Sequence, residues 1–337
     1  VTRRVLPVVL VALAATGLAA CGERKEPAGG ATAAERVDLV LDFFPNADHA
    51  GLYAAIGTGE FEKAGLDVKP RTPSDPAAPL KLVAAGRADL AISYEPELLL
   101  ARAKGAKLVS IGALVQKPLT SLISIGSKPV KEPGDLEGTK VGTAGIPYQD
   151  AYLETIVKQA GIAESQVKSV NVGFNLVPAL VSKRVQSVLG MFWNVEGVEL
   201  ARQKRDPTIL KMDDIGVPTY NELVIVAREQ DVRTRGPVLR RFMRALTRGH
   251  QALKADIAAG VDPLVKANPD LDRKLQTAQV KATLPVFFPD DADRPFGFQD
   301  PAQWRAYSEW MGENGLIANP AIGQRAFTNE FLPGEGI

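Results

Sequence analysis

The chain has 337 residues, with 40 Lys plus Arg against 39 Asp plus Glu and a formal net charge of +1. A balance this near neutral carries no electrostatic footprint for nucleic acid, so none is expected as a partner. Cys21 is the single cysteine, which excludes an intrachain disulfide and a cysteine-built metal site within the sequence.

Arg3 and Arg4 precede an apolar stretch over residues 5–20. It is shorter than the roughly 20 residues of a membrane span and has the form of a secretory leader. It ends in Leu18-Ala19-Ala20-Cys21, which resembles the bacterial lipobox. Residues 1–20 are therefore expected to be a lipoprotein signal peptide, with Cys21 the lipidated first residue after cleavage. Loss of Arg3 and Arg4 with the leader would take the formal charge from +1 to −1. Residues 21–36 lack apolar periodicity and are rich in Gly, Ala, Pro and charge, as in a flexible tether.

The remaining body is long enough for two lobes. Short aliphatic strands alternate with amphipathic helices, which predicts an α/β fold with mainly parallel sheets. Four strand-to-helix crossovers stand out. VDLVL (37–41) leads into a helix from about Asp48, itself a candidate cap. ADLAIS (88–93) precedes Pro96 in a first helical turn. TKVGTA (139–144) leads through Gly145 and Pro147 into a helix that Gly161 ends. VQSVLGMF (185–192) leads through Trp193 and Asn194 into VEGVELARQK. Further helices are expected near 76–85 and 176–183.

Two strand-like runs, LTSLISIGS (119–127) and NELVIVAR (221–228), bracket a segment with its own strand–helix units. They mark where the chain leaves one lobe and returns. The expected division is 37–125 with 227–337 for a discontinuous first lobe and 126–226 for the second. Residues 229–337 read as mostly helical, near 237–258, 269–282 and 301–314, with breaks at Pro289 and Pro295. Arg233, Arg235, Arg240, Arg241, Arg244 and Arg248 are spaced around Leu239, Phe242, Leu246 and Leu253. That spacing predicts a helix with a solvated basic face rather than an anion site.

In open α/β sheets, ligands gather beyond the carboxyl ends of strands. The first such tip offers Asp42, Phe43, Phe44, Asn46 and His49. The second offers Ser93, Tyr94 and Glu95; the third, Gly145, Tyr148 and Asp150; the fourth, Phe192, Trp193, Asn194 and Glu196. Each tip pairs a ring with a carboxylate, and none carries Lys or Arg. An oxyanion ligand would call for basic groups or an acid-free helix N-terminus. Rings with acceptors suit a flat nitrogen heterocycle, whose faces stack and whose N–H groups donate. An aromatic-boxed amine is the other chemical fit. Phosphate-loop, dinucleotide and nucleophile-elbow motifs are absent from the sequence. His49 is expected to act as a hydrogen-bonding group, and His250 as a surface residue on a helix. No cofactor and no metal site are expected.

The stretch "LDFFPNADHAGLYAAIGTGEFEKAGLDV" resembles the start of the NMT1/THI5-like family, whose pattern is Leu-Asp-Trp-x-Pro-Asn-x-x-His-x-Gly-x-Tyr. "GRADLAISYEPELLLARAKG", "DLEGTKVGTAGIP" and "MFWNVEGVELA" resemble later blocks of that family. The resemblance covers most of residues 37–230. It implies a periplasmic-binding-protein fold: two α/β lobes, a two-strand hinge and a ligand cleft. Within the family, the chain most resembles solute-binding lipoproteins of ABC importers for thiamine pyrimidine precursors, or for riboflavin-type compounds. The implied partners are a small heterocycle, an ABC permease and a membrane reached through the N-terminal lipid, with the binding protein itself a monomer. The resemblance also implies that Asp42 and Phe43 or Phe44 touch the heterocycle while Trp193 and Glu196 close over it. Phe43 stands where the family often has Trp, which keeps a stacking ring but drops an indole donor. A branch of pyrimidine-synthesising enzymes shares the Asp–Pro–Asn–His block but carries a cysteine-rich iron motif that this sequence lacks. A sulfonate-binding branch shares the fold, against which stand the acid-bearing tips.

Overall fold

The computed structural model of the protein describes residues 34–334, apart from residues 289 and 292. Arg3, Arg4, Cys21 and the expected leader lie outside the described residues, as does most of the expected tether. The first strand begins at Glu35, so it takes in Glu35 and Arg36, the last two residues of the expected tether.

Among the described residues, ten strands follow in chain order. They are β1 (Glu35–Val40), β2 (Leu66–Arg71), β3 (Leu90–Ser93), β4 (Leu108–Val115) and β5 (Thr120–Ser124). After them come β6 (Lys140–Thr143), β7 (Lys168–Asn171), β8 (Ser187–Phe192), β9 (Thr208–Lys211) and β10 (Leu223–Arg228). They form two five-stranded sheets with orders β2-β1-β3-β10-β4 and β7-β6-β8-β5-β9. The interior strands β3, β5 and β8 are buried along their whole length. Continuous apolar runs of this kind are what a sheet covered on both faces requires. The expected α/β architecture in two lobes is the one observed.

Each sheet is parallel except for one strand that arrives from the other lobe's side. In the first sheet β10 runs antiparallel to β3 and β4. In the second, β5 runs antiparallel to β8 and β9. The crossings therefore precede both strands. Residues 120–124, expected in the first lobe, pair in the second sheet, and residues 223–226, expected in the second lobe, pair in the first. A strand's alternation does not state which sheet it joins. The better markers were Pro118 and Pro218, which cannot donate to a ladder and so interrupt pairing between β4 and β5 and between β9 and β10.

The two crossing segments are tied to each other by Glu222. Its Oε2 accepts from the N–H groups of Leu119 at 2.6 Å and Thr120 at 2.7 Å and from Tyr220 Oη at 3.0 Å. Its Oε1 accepts from Thr120 Oγ1 at 2.8 Å. Burial pushes this carboxyl up to about 7, against those hydrogen bonds.

The long helix Gly236–Ala255 buries Leu239, Phe242, Leu246 and Leu253 as expected, but of its arginines only Arg248 is exposed; Arg240, Arg241 and Arg244 are half-buried, and Arg241 is held by Glu35 and the Ala64 carbonyl. It crosses the helix Ala50–Gly57 with almost no gap: a Cβ on Gly249 would sit 2.4 Å from the Gly51 carbonyl oxygen. His250, expected on the surface, is buried on this same seam. Its ring stacks on Phe296 with centroids 4.1 Å apart, and its Nδ1 lies 2.9 Å from the Leu246 carbonyl. Burial pulls the imidazole down to about 4, so it is neutral at ordinary pH. The sequence did not show this because the position opposite it is a glycine, which leaves room for the ring.

Candidate functional site

The carboxyl ends of β1, β3, β6 and β8 converge on a cleft between the two sheets. It is lined by Asp42, Phe43, Asn46 and Tyr94 from the first lobe and by Ala144, Ile146, Gln149, Leu176, Gly190, Phe192 and Glu196 from the second. The cavity enclosed there is about 20 Å³. The lobes are thus drawn close together.

Asp42 lies two residues past the end of β1 and is buried. Its Oδ1 lies 2.8 Å from His49 Nε2 and its Oδ2 accepts from Tyr94 Oη at 2.8 Å. His49 Nδ1 accepts from the Asn46 N–H at 3.1 Å, which leaves Nε2 as the nitrogen that donates to Asp42. Asn46 caps the short 3₁₀ turn Ala47–His49 by accepting from the Asp48 N–H at 2.8 Å. The local sequence therefore builds a loop whose capping, histidine and carboxylate groups hold one another still. His49 stands behind Asp42, outside the cleft lining. Asp48, a candidate cap, does not cap: its carboxylate reaches the second lobe.

The rings divide by task. Phe43, Tyr94 and Phe192 face the cleft. Tyr94 packs on Tyr148 with centroids 5.1 Å apart and meets Phe192 edge-on at 6.4 Å. Phe44 is 48% exposed and sits at the mouth, 4.3 Å from Phe174 of the second lobe, while Phe43 meets Phe174 edge-on at 4.8 Å. Three phenylalanines therefore bridge the lobes there. Phe174 was not read from the sequence, because it lies in a short loop after β7 with no apolar periodicity around it.

Glu196 opens the helix Glu196–Arg202, and its Oε2 accepts from the Phe192 N–H at 2.8 Å. Burial pushes its carboxyl up to about 7; the Phe192 and own backbone N–H groups lower it, and Glu199 and Asp42 raise it. Gln149 presents an amide to the cleft, with its Oε1 held by the Ala144 N–H at 2.7 Å. It lies against β8 only because position 190 is glycine at φ +105°, where a Cβ would sit 2.2 Å from Nε2. An isolated glycine inside a strand is a signal of such close approach, and Gly190 carried it.

Several expected contacts point elsewhere. Glu95 turns into the second crossing segment, where Oε2 accepts from the N–H of Asn221 at 2.7 Å and from its Nδ2 at 2.6 Å. Burial pushes Glu95 up to about 8. Trp193 donates from Nε1 to the Pro118 carbonyl at 3.1 Å and lies beneath Lys211, 4.5 Å from its ring centroid. Its indole braces the first crossing segment. Tyr148 is buried behind Tyr94 with its hydroxyl 3.1 Å from Thr120 Oγ1. Gly145, at φ +76°, makes room for Asn171. Asn194 is buried against Asp48 and Thr283. These residues fail as lining for one shared reason: in a strand-to-helix turn only some positions project forward, and spacing alone does not say which.

Among the described residues no group of three or more His, Cys, Asp or Glu is placed to hold a metal ion. The lining offers three ring faces, two carboxylates and two amides, and no Lys or Arg. Such a wall stacks a planar solute and accepts hydrogen bonds from it.

The family model described as NMT1/THI5 like matches residues 46–257. The chain belongs to the NMT1/THI5-like family. Within it, the chain is 32% identical over 326 residues to the formylaminopyrimidine-binding protein of Halalkalibacterium halodurans, covering 96% of this chain and 98% of that one. It is 23% identical to a 4-amino-5-hydroxymethyl-2-methylpyrimidine phosphate synthase of Uromyces fabae, covering 89% of each. In fold, this NMT1/THI5-like chain is similar to the alkanesulfonate-binding protein SsuA of Xanthomonas axonopodis, a structure bound to MOPS. The TM-score is 0.67 at 15% identity, over 89% of this chain and 99% of that one.

Proposed function

We propose that this NMT1/THI5-like chain captures a one-ring nitrogen heterocycle of the formylaminopyrimidine kind and delivers it to an ABC-type permease. The observation that carries the reading is a cleft whose polar groups are two carboxylates and two amides beside three ring faces, with no basic side chain in the lining. The ligand's faces stack between Phe43 and the Tyr94–Phe192 side. Its amino or ring N–H groups donate to Glu196 and to the free lone pairs of Asp42. Phe44 and Phe174 close the mouth. The similarity to a formylaminopyrimidine-binding protein along nearly the whole chain supports this choice. A sulfonate finds no cation in the cleft.

Binding without turnover is the corresponding reading of the chemistry, with the two sheets as lobes that open and close about the Glu222 crossing. The same reading makes residues 1–20 a leader and Cys21 a lipid anchor on the outer face of the cytoplasmic membrane, with a monomeric body. The test is thermal unfolding of the purified protein. Formylaminopyrimidine at about 100 times its Kd should add roughly 2.7 kcal/mol to stability. Stabilisation by taurine, with none by formylaminopyrimidine or hydroxymethylpyrimidine, would overturn the ligand class.

A further inference from the structure

The loop that supplies Asp42 to the cleft also reaches across to the second lobe. Asp48 is buried; its Oδ1 accepts from Asn194 Nδ2 at 2.6 Å and lies 3.2 Å from Thr283 Oγ1, whose single O–H also faces the Gln279 carbonyl at 2.9 Å. Asn194 is equally buried, and its Nδ2 also donates to Thr283 Oγ1 at 2.6 Å. Thr283 ends the helix Arg273–Thr283. One turn earlier on that helix, Gln279 Nε2 donates to the Val195 carbonyl at 2.9 Å. Three elements from different parts of the chain therefore meet in one buried polar knot: the loop after β1, the turn after β8 and a C-terminal helix.

Besides Gln279 Oε1 on the adjoining helix, two oxygens in the knot have no partner, Asp48 Oδ2 and Asn194 Oδ1. Each belongs to a side chain already paired through its other polar atom, Asp48 through Oδ1 and Asn194 through Nδ2. A buried acceptor left unpaired costs about 1–3 kcal/mol, so both call for an explanation. Turning the Asn194 amide over does not help. Its oxygen would then face Asp48 Oδ1 at 2.6 Å, acceptor against acceptor, and its nitrogen would be orphaned instead. What either arrangement lacks is one proton. A protonated carboxyl supplies an O–H donor and keeps an acceptor, the complement of a primary amide.

We propose that Asp48 is a neutral carboxylic acid that fastens the two lobes through a two-point acid–amide pair with Asn194, and that loss of its proton loosens closure. The surroundings agree. The charged neighbours acting on Asp48 are Asp42 from just past β1 and Glu196 from the second lobe. Asn194, Thr283 and Gln279 are uncharged, and His49 is turned towards Asp42. Burial first, then Asp42, hold the Asp48 carboxyl well above the usual range, with Glu196 adding and the Asn194 and Thr283 hydrogen bonds opposing. Opening the lobes rehydrates Asp48 and returns it towards about 3.9. Closure therefore takes up a proton. Its contribution is complete below about pH 4 and is lost as pH rises through the closed-state value.

The test needs no ligand, so it fails or succeeds independently of the proposed solute. Infrared spectra of full-length wild type and Asp48→Asn are compared at about pH 6, well above the ordinary carboxyl range. The wild type should show one more protonated-carboxyl carbonyl band than the variant; the other buried acids, Glu95, Glu97, Glu196 and Glu222, cancel in the difference. Small-angle scattering should show the wild type expanding as pH is raised. Asp48→Asn keeps a two-point amide pair, so its radius should stay compact and flat with pH, while Asn194→Ala should be expanded throughout. Identical spectra for wild type and Asp48→Asn would overturn the proposal. So would a variant radius that follows pH as the wild type's does.

Discussion

Glu196→Gln puts the proposed recognition chemistry at risk most directly. Glu196 spends Oε2 on the Phe192 N–H at 2.8 Å and lines the cleft, and burial holds its carboxyl at about 7. A ligand N–H donating to it favours the charged form, so the bound-state pKa falls below the free value of about 7. The resulting gain in affinity is present above pH 7 and fades as pH drops, by at most about tenfold per pH unit. In the glutamine variant the amide oxygen must serve the Phe192 N–H, which leaves an NH₂ facing the ligand's own donor. Losing a hydrogen bond to a charged group costs about 1.5–3 kcal/mol, which is roughly 10- to 150-fold in Kd. Isothermal titration with formylaminopyrimidine at about pH 6, 7 and 8, in buffers of different ionisation enthalpy, measures affinity and released protons together. Wild type should release up to one proton near pH 6, and the variant should release less and bind weakly. Unchanged affinity, with unchanged proton release, would remove Glu196 from the recognition surface. The slope is opposite in sign to that of Asp48, so the two carboxyls separate cleanly in single variants.

Other perturbations address the frame. Glu222→Ala strands the Leu119 and Thr120 N–H groups and the Tyr220 hydroxyl. At about 1–3 kcal/mol per buried orphan, denaturant unfolding should show a loss of several kcal/mol. Gly249→Ala drives a Cβ to 2.4 Å from the Gly51 carbonyl. Overpacking of this kind costs about 1–3 kcal/mol, read as a lowered denaturant midpoint with little change in slope. Trp193→Phe removes the bond to the Pro118 carbonyl. It should lower stability by about 1 kcal/mol while leaving ligand affinity nearly unchanged; a tenfold loss of affinity would return Trp193 to the cleft.

Much of the architecture was legible because strands buried on both faces read as unbroken aliphatic runs, and helices in this fold start at visible punctuation such as Pro96 and Pro147. The four tips could be located for the same reason. Which residues of each tip face inward was less legible. Glu95 and Tyr94 are adjacent, yet one turns to Asn221 and the other to Asp42. The choice is made by partners 50 to 130 residues away, and local pattern does not encode them. Gly190 and Gln149 illustrate the converse. The glycine was visible in the strand, but its meaning depended on a side chain from another element.

Asp42 has a consequence of another kind. His49 and Tyr94 each occupy one lone pair of its two oxygens, and a carboxylate offers about four. The two that remain are fixed in direction, because the carboxylate cannot swivel without breaking a bond on one side or the other. It behaves less as a charge than as a stencil. A solute that places its N–H groups at the wrong angle gains little from proximity, whatever its charge. Discrimination between heterocycles of similar size would then rest on bond angles around the ring.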